Sequence, residues 1–182
     1  MRTSYTLFME LSETALATIK QSLLAQYRAA LSTLGQALDR CPESEWHEAH
    51  GDFPFSQVVF HTLIFTDLYL EAGPAGLKAQ TFHEENREFF KNYEELEPVE
   101  PTNTYDREGC RRYLAFCFEK CRRVCAEEGE EELLGPSGFE RRPPSRLELH
   151  LYNIRHIQHH AGQLGLRLQP ITGQELDWVT RG

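Results

Sequence analysis

The sequence predicts an all-α fold, a four-helix bundle, on three observations. Four long segments carry apolar residues at helical spacing, no segment alternates like a strand, and a link of about thirty residues separates the second segment from the third. Such a link is long enough to cross the bundle from end to end, whereas short links join antiparallel neighbours. We therefore expect an up-down-down-up order with a long crossover between helices 2 and 3. The 182 residues fit a single domain, residues 1–182.

The first two helices follow from apolar periodicity. The first is predicted over residues 13–39, because apolar side chains recur there at steps of three or four: Leu16, Ile19, Leu23, Tyr27, Leu31, Leu34 and Leu38. The second is predicted to begin near Ser56, a residue type that caps helix N-termini, and to run to about Glu71. Since it is apolar around most of its circumference, we expect it to be buried on several sides.

Proline, glycine and charge divide the middle of the chain. Residues 73–105 are expected to form a long connection with one short helix inside it. The third long helix is predicted from Asp106 to Glu127. The acidic run from Glu127 to Glu132 is expected to be solvated, and the helix end is expected to fray, because acid is unfavourable at a helix C-terminus.

The fourth helix has the clearest start signal. Ser145 and Glu148 form the pattern of a capping box, in which each side chain satisfies a backbone amide of the first turn. This helix is predicted to continue to about Leu168 and to end at Pro170. A short terminal helix is then expected from Thr172, with Trp178 as its anchor.

Composition excludes several classes of function. The net charge of −9 repels phosphate backbones and anionic lipid, so we expect no nucleic-acid and no membrane partner. No apolar run approaches the ~18 residues of a membrane span. The N-terminal residues lack the apolar core of a signal peptide, and the five cysteines include no CxxC pair. These features predict free thiols and a cytoplasmic location.

Histidines concentrate on the fourth helix. His156 and His160 are about 40° apart around a helix, so they share one face and can grip one metal ion. His61 interrupts the apolar second helix, where an ionisable side chain needs either a metal or a hydrogen-bonding partner in the core. Both interpretations of His61 stay open, although the pair elsewhere in the bundle favours the metal. His159 points away from the shared face.

Two stretches resemble a known family. Residues 55–61 end in the isolated histidine, and residues 153–164 contain a His-x-x-x-His pair followed by Ala-Gly-Gln. This arrangement resembles the DinB/YfiT-like superfamily. The resemblance implies an up-down-down-up bundle in which His61, His156 and His160 bind a divalent metal at one end of a cleft. It also implies either a low-molecular-weight-thiol-dependent transferase or isomerase, or a metal-dependent hydrolase.

Four further polar residues are candidates for orienting the metal-binding imidazoles: Asn153, Gln163, Asp67 and His150. A ligand histidine usually donates its second N–H to such a group. Asp67 and Asn153 equally fit ordinary buried polar contacts, whereas His150, in the middle of the apolar stripe, fits a hydrogen-bonded histidine in the core better than an orienting role.

A row of cysteines marks one face of the third helix: Cys110, Cys117, Cys121 and Cys125. A second metal or redox site is one interpretation. Because free cysteine is among the most buried residue types, we predict instead that these side chains pack as small hydrophobes.

Three neutral imidazoles predict an open metal site. They leave a divalent ion its full charge, so a water or thiol bound to it loses a proton readily. We expect Zn, Ni or Fe, a small-molecule substrate and a low-molecular-weight thiol, in a cleft walled by Leu149, Ile157 and Leu164. Thiol transfer to a small electrophile ranks above hydrolysis on the family resemblance.

One alternative belongs to another class of function. The bundle would then bind a small ligand or a partner protein without catalysis, and the metal would be structural or incidental. A fourth protein ligand closing the metal site would favour this alternative. A third possibility is a stress-response scaffold that acts as a homodimer, which a large apolar helix face left exposed in the monomer would favour.

Overall fold

The structure, a computed structural model, describes residues 11–49, 53–140 and 143–181, and within these ranges it contains no β-strand. Its helices are α1 (Glu13–Arg40), α2 (Phe55–Tyr69), α3 (Thr81–Glu85), α4 (Arg87–Phe90), α5 (Arg107–Glu127), α6 (Glu130–Leu134) and α7 (Arg146–Thr172). The predicted all-α class is confirmed, with α1, α2, α5 and α7 as the four long helices. The N-terminal residues that argued against a signal peptide lie outside the described residues. None of the described helices is long and apolar enough to span a membrane.

Side-chain caps set the start of three long helices. Ser12 accepts a hydrogen bond from the first turn of α1, Asp106 does so for α5, and Ser145 does so for α7. Each cap of this kind stabilises a helix by about 1 kcal/mol. The predicted cap of α2 is wrong: α2 begins at Phe55, and the Ser56 hydroxyl lies 3.2 Å from His47 Nδ1 instead.

Helix α1 runs antiparallel to α5. Arg107, at the start of α5, donates to the carbonyl of Leu38 near the end of α1 over 3.2 Å. At the opposite end of the pair, Lys20 donates to the carbonyl of Ala126 over 2.7 Å. The first and third long helices therefore point in opposite directions.

Helix α2 runs parallel to α5 and antiparallel to α7. Cys117 in the middle of α5 meets the carbonyl of Leu63 in the middle of α2. Gln57, in the first turn of α2, donates to the carbonyl of Pro101, shortly before α5 begins, so both helices start at the same end of the bundle. Asn153, early in α7, donates to the carbonyl of Thr66, late in α2, over 3.0 Å. The order is up-down-down-up, which confirms the predicted topology.

The crossover between α2 and α5 is more ordered than the sequence predicts. It contains two short helices, α3 and α4, and 3₁₀ turns at Pro74–Ala79 and Glu94–Leu96, instead of one short helix. Its aromatic side chains pack on the long helices, and Tyr105 stacks on Phe60 of α2 with 3.5 Å between ring centroids. The crossover therefore forms a wall along α2.

The end of α7 differs from the prediction. The helix continues through Pro170 to Thr172 and ends where Gly173 takes a positive φ of 68°. Proline lacks one amide hydrogen, and in the last turn of a long helix this removes a single backbone bond without stopping the helix. Beyond Gly173, residues 174–181 form no helix, and Trp178 is exposed instead of anchoring one.

The acidic run after α5 is only partly solvated. Glu128 accepts from Arg146 Nε over 2.7 Å, and its other carboxylate oxygen lies 2.7 Å from His150 Nε2. Residues Glu130–Leu134 form α6 instead of a loop. The prediction of a solvated loop is therefore wrong for Glu128, which a buried arginine and histidine hold, whereas Glu127, Glu131 and Glu132 are exposed as predicted.

The cysteine row lies inside the core. Cys110, Cys117, Cys121 and Cys125 are all buried with free thiols. Burial raises the pKa of each of these thiols, so they stay protonated at neutral pH. They act as small apolar side chains, as the packing interpretation predicts.

Candidate metal centre

Three histidines meet between α2 and α7. His61 lies in the second turn of α2, and His156 and His160 lie one turn apart on the facing side of α7. The Nε2 atoms of His61 and His156 are 3.4 Å apart. Each of the three residues offers one ring nitrogen within 4.8 Å of the others. The sequence predicted that the isolated His61 and the pair His156 and His160 would lie together, and the structure places them in one cluster. We call this cluster the histidine group.

Glu95 orients the His61 ring. Its Oε2 atom lies 2.8 Å from His61 Nδ1, and its side chain is almost fully buried. When the carboxylate accepts the Nδ1 hydrogen, the Nε2 lone pair of His61 faces the other two histidines. The sequence analysis missed Glu95, because a glutamate within an irregular crossover carries no periodic signal that would place it against α2.

Gln163 orients the His160 ring in the same way. Its Oε1 atom lies 2.8 Å from His160 Nδ1, so the Nδ1 hydrogen is held and Nε2 is left for a ligand. Burial, and then the charge of His61, lower the pKa of His160 to about 4. His160 is therefore neutral at neutral pH, which is the state in which an imidazole binds a metal.

Aromatic rings surround the histidine group. The Phe65 ring lies 4.7 Å from the His61 ring and 5.9 Å from the His156 ring, measured between centroids. Tyr69 follows at 6.2 Å from His156. These apolar faces shield one side of the group from water, whereas the His61 side chain keeps 33% of its exposed area.

The other predicted candidates lie apart from the histidine group. Asp67 contacts the side chains of His83, Tyr113, Lys120 and Gln80. Asn153 donates to the carbonyl of Thr66, and His150 lies between Tyr27 and Glu128. None of these contacts reaches a ligand ring, so the structure supports their alternative interpretation as buried polar residues of the core.

The histidine group fits a divalent metal ion. Two nitrogen ligands about 2.1 Å from a tetrahedral metal are separated by about 3.4 Å, and the His61 and His156 Nε2 atoms are 3.4 Å apart. Within the described part of the chain, the group contains three donors and no fourth histidine, cysteine or carboxylate ligand. Three nitrogen donors suit zinc, nickel or iron and leave a coordination position open.

A cleft of about 670 Å³ leads to the histidine group. Val58 and Phe65 of α2 form one wall, Leu166 and Arg167 of α7 form another, and Val99 belongs to the crossover wall. The walls predicted from the sequence are wrong: Leu149, Ile157 and Leu164 are fully buried. Those three residues lie on the side of α7 that faces the core. The cleft is lined instead by residues on the adjacent side of the helix: His160, Gln163, Leu166 and Arg167.

Comparison with protein families gives one match. A sequence model of the DinB superfamily matches residues 26–164, a range that contains all three histidines as well as Glu95 and Gln163. Comparison with curated proteins and with solved structures gives no significant match.

Proposed function

The chain belongs to the DinB superfamily, and from this membership and the histidine group we propose that it is a metal-dependent enzyme acting on a small organic substrate. His61, His156 and His160 would hold the metal. Transfer of a low-molecular-weight thiol to an electrophile ranks first, and hydrolysis ranks second. The predicted homodimer and cytoplasmic location stay predictions.

One observation carries the proposal: two of the three imidazoles have their outer nitrogen already engaged. His61 Nδ1 is held by Glu95, and His160 Nδ1 is held by Gln163. This arrangement fixes the ring orientation before any ligand arrives, which lowers the entropic cost of binding. A histidine cluster formed by chance on a helix surface would not require two such partners.

A divalent ion on three neutral ligands would lower the pKa of a thiol or water that coordinates it. The protein's own residues contribute orientation and exclusion of water. Glu95 keeps the His61 proton on Nδ1, and Gln163 keeps the His160 proton on Nδ1. Phe65 and Val58 provide an apolar surface beside the reacting atoms.

The lining of the cleft favours thiol transfer over hydrolysis. The Oε2 atom of Glu95 is held by His61 Nδ1 and its Oε1 atom is buried, so the carboxylate offers no exposed free oxygen as a base for water. Once the proton has left, neither a metal-bound thiolate nor a metal-bound hydroxide needs a separate base, so the preference comes from the walls of the cleft. The apolar walls also suit a small organic electrophile better than a highly charged substrate.

Two measurements test the proposed function. Metal analysis of untagged protein should give about one divalent ion per chain, because three histidine ligands form one site. Turnover of monochlorobimane with bacillithiol, mycothiol, glutathione or coenzyme A should require that metal and should be lost in His160→Ala. The matched control is His159→Ala, whose ring is exposed and lies outside the group.

Other outcomes would change the proposal. Metal-dependent hydrolysis of esters or amides, with no turnover of any thiol, would reverse the ranking of the two reactions. The open, largely apolar cleft also favours one non-catalytic function, the binding of a small ligand. Tight metal binding with inactivity in both assays would support that alternative.

A further inference from the structure

Arg167 is a partly buried cation with no acidic partner among the described residues. Its Nη2 donates to the carbonyl of Phe53 over 2.7 Å, and its guanidinium lies 5.9 Å from the Phe55 ring centroid. Its Nε is buried without a hydrogen-bond acceptor in the described part of the chain. By contrast, the buried Arg146 forms an ion pair with Glu128.

Within residues 11–49, 53–140 and 143–181, no carboxylate offsets the loss of hydration of this guanidinium. The protein has 28 acidic and 19 basic residues, so acidic partners for an arginine are abundant. The guanidinium has lost part of its hydration because its Nε is buried, and this burial lowers the pKa of Arg167. A desolvated guanidinium without a carboxylate is the kind of group that binds an anionic ligand, often through two parallel hydrogen bonds.

Arg167 lies on the same face of α7 as the histidine group. It follows His160 by two helical turns, a rise of about 10 Å along the axis, and Gln163 lies between them. Both His160 and Arg167 line the same cleft. Glu95, which would repel an anion, is engaged with His61 at the histidine end of the cleft. The cleft therefore has a metal-binding end and a cationic end.

The surface between these two ends is apolar. Phe65 and Val58 line the inner part of the cleft, and Leu166, Val99 and Phe53 line its mouth. The last three are 67%, 57% and 37% exposed, and they are among the few large apolar residues exposed in the described chain. Exposed apolar side chains grouped at the mouth of a cleft indicate a ligand with an apolar body.

We propose that the cleft binds an amphipathic anion, with a carboxylate or a related oxyanion on Arg167 and an apolar body along Val58, Phe65 and Leu166. The opposite end of the ligand then lies beside the histidine group. This assignment of a substrate class rests on the proposed function, because it takes the cleft to be the substrate site. The class comprises short-chain carboxylates or anionic thiols with an apolar segment.

Titration calorimetry with octanoate tests the assignment in protein stripped of metal by a chelator. Octanoate should bind, whereas octanol and octylamine should bind at least tenfold more weakly, because neither offers an anion to Arg167. Arg167→Gln should weaken octanoate binding by about 10–100-fold, the value of a charge-assisted hydrogen bond. Arg167→Lys should retain part of the affinity, since it keeps the charge and loses the fork geometry.

Controls separate this proposal from the proposed function. Arg155→Gln, an exposed arginine on the same helix, should bind octanoate like the wild type, and circular dichroism melting should confirm that each variant folds. His160→Ala should lose metal while octanoate binding persists in the metal-free protein. Equal affinity in Arg167→Gln and wild type, or no octanoate binding to the wild type, would overturn the assignment. Octanoate binding that requires the metal and is lost in His160→Ala would overturn the assignment to Arg167. The proposal that the three histidines bind a metal would survive that result.

Discussion

Helix α2 carries two polar clusters that differ in how their hydrogen-bonding groups are matched. One is the histidine group around His61. The other surrounds Asp67, nearly two turns further along, and we call it the Asp67 network: Asp67, Glu71, Gln80, His83, Tyr113 and Lys120. The Asp67 carboxylate accepts from four side chains, whereas the histidine group brings together ring nitrogens of one chemical kind.

This difference distinguishes a structural cluster from a binding site. In the Asp67 network each donor meets an acceptor, and Asp67, His83 and Tyr113 are completely buried. The His61 side chain keeps 33% of its exposed area and opens onto the cleft. A matched buried network stabilises the fold and has no capacity for a ligand. Converging nitrogen donors beside a cleft gain most of their interaction energy when a cation binds.

The largest expected effect comes from breaking the Asp67 network. Asp67→Asn should lower the free energy of unfolding by about 3–5 kcal/mol, because it removes one of the two carboxylates that pair with the buried Lys120 and replaces an acceptor of the buried Tyr113 and His83 with an amide. Urea denaturation of the metal-free protein measures this change. The matched variant in the other cluster, His61→Gln, should change stability by less than about 1 kcal/mol, since that ring is partly exposed. Equal losses in the two variants would contradict the distinction.

The reverse pattern is expected for metal affinity. His160→Ala should weaken metal binding by about 100-fold, because a site that falls from three ligands to two loses roughly 3 kcal/mol. Competition with a chromogenic chelator measures this change. His159→Ala is the control, and its affinity should match that of the wild type. Unchanged affinity in His160→Ala, with the loss found in His159→Ala instead, would show that the exposed ring is the ligand and would overturn the assignment of His160.

The sequence predicted the features that repeat along the chain. The long helices follow from apolar spacing, and the shared face of His156 and His160 follows from helical geometry alone. That His61 lies opposite them follows from the antiparallel packing of the second and fourth long helices. Each of these inferences depends on regular secondary structure, in which sequence separation fixes direction in space.

Features of irregular segments were not predictable in this way. Glu95 reaches His61 from a 3₁₀ turn of the crossover, and no rule of spacing relates a turn residue to a helix 34 positions earlier. Asp67 shows a different limit. Its residue type suited both an orienting role and a core contact, and the choice depended on Lys120 and His83, which reach it from α5 and from the crossover.

A smaller effect should distinguish the orienting residues from the ligands. Glu95→Gln should weaken metal binding by about tenfold, because partners of ligand histidines typically contribute 10–100-fold, and the amide keeps an acceptor for His61 Nδ1. Gln163→Leu should weaken it to a similar degree, since it removes the acceptor of His160 Nδ1. The chelator assay measures both variants. A Glu95→Gln loss as large as that of His160→Ala would indicate that the carboxylate itself binds the metal.

The smallest expected effect concerns pH. The two clusters should lose their contributions to the stability of the protein over different acidic pH ranges. Burial lowers the pKa of His160 from 6.5 to about 4, so the unfolded chain binds a proton more readily than the folded chain between these values. Stability from this group is therefore present above pH 6.5 and is lost as the pH falls towards 4. The loss is small, because His160 keeps contact with solvent.

The Asp67 network should lose its contribution at lower pH. Burial alone would raise the pKa of Asp67, but the hydrogen bond from His83 and the charge of Lys120 outweigh it, and the net pKa falls below 3.8. Its contribution is thus complete above pH 3.8 and declines only as the pH falls through the lowered value. Urea denaturation of metal-free protein across this range should show a shallower slope between pH 6.5 and 4 in His160→Gln. Asp67→Asn should show a shallower slope only below pH 3.8. If the two variants flatten the same interval, the clusters are coupled through α2, and the division between a structural network and a binding site fails.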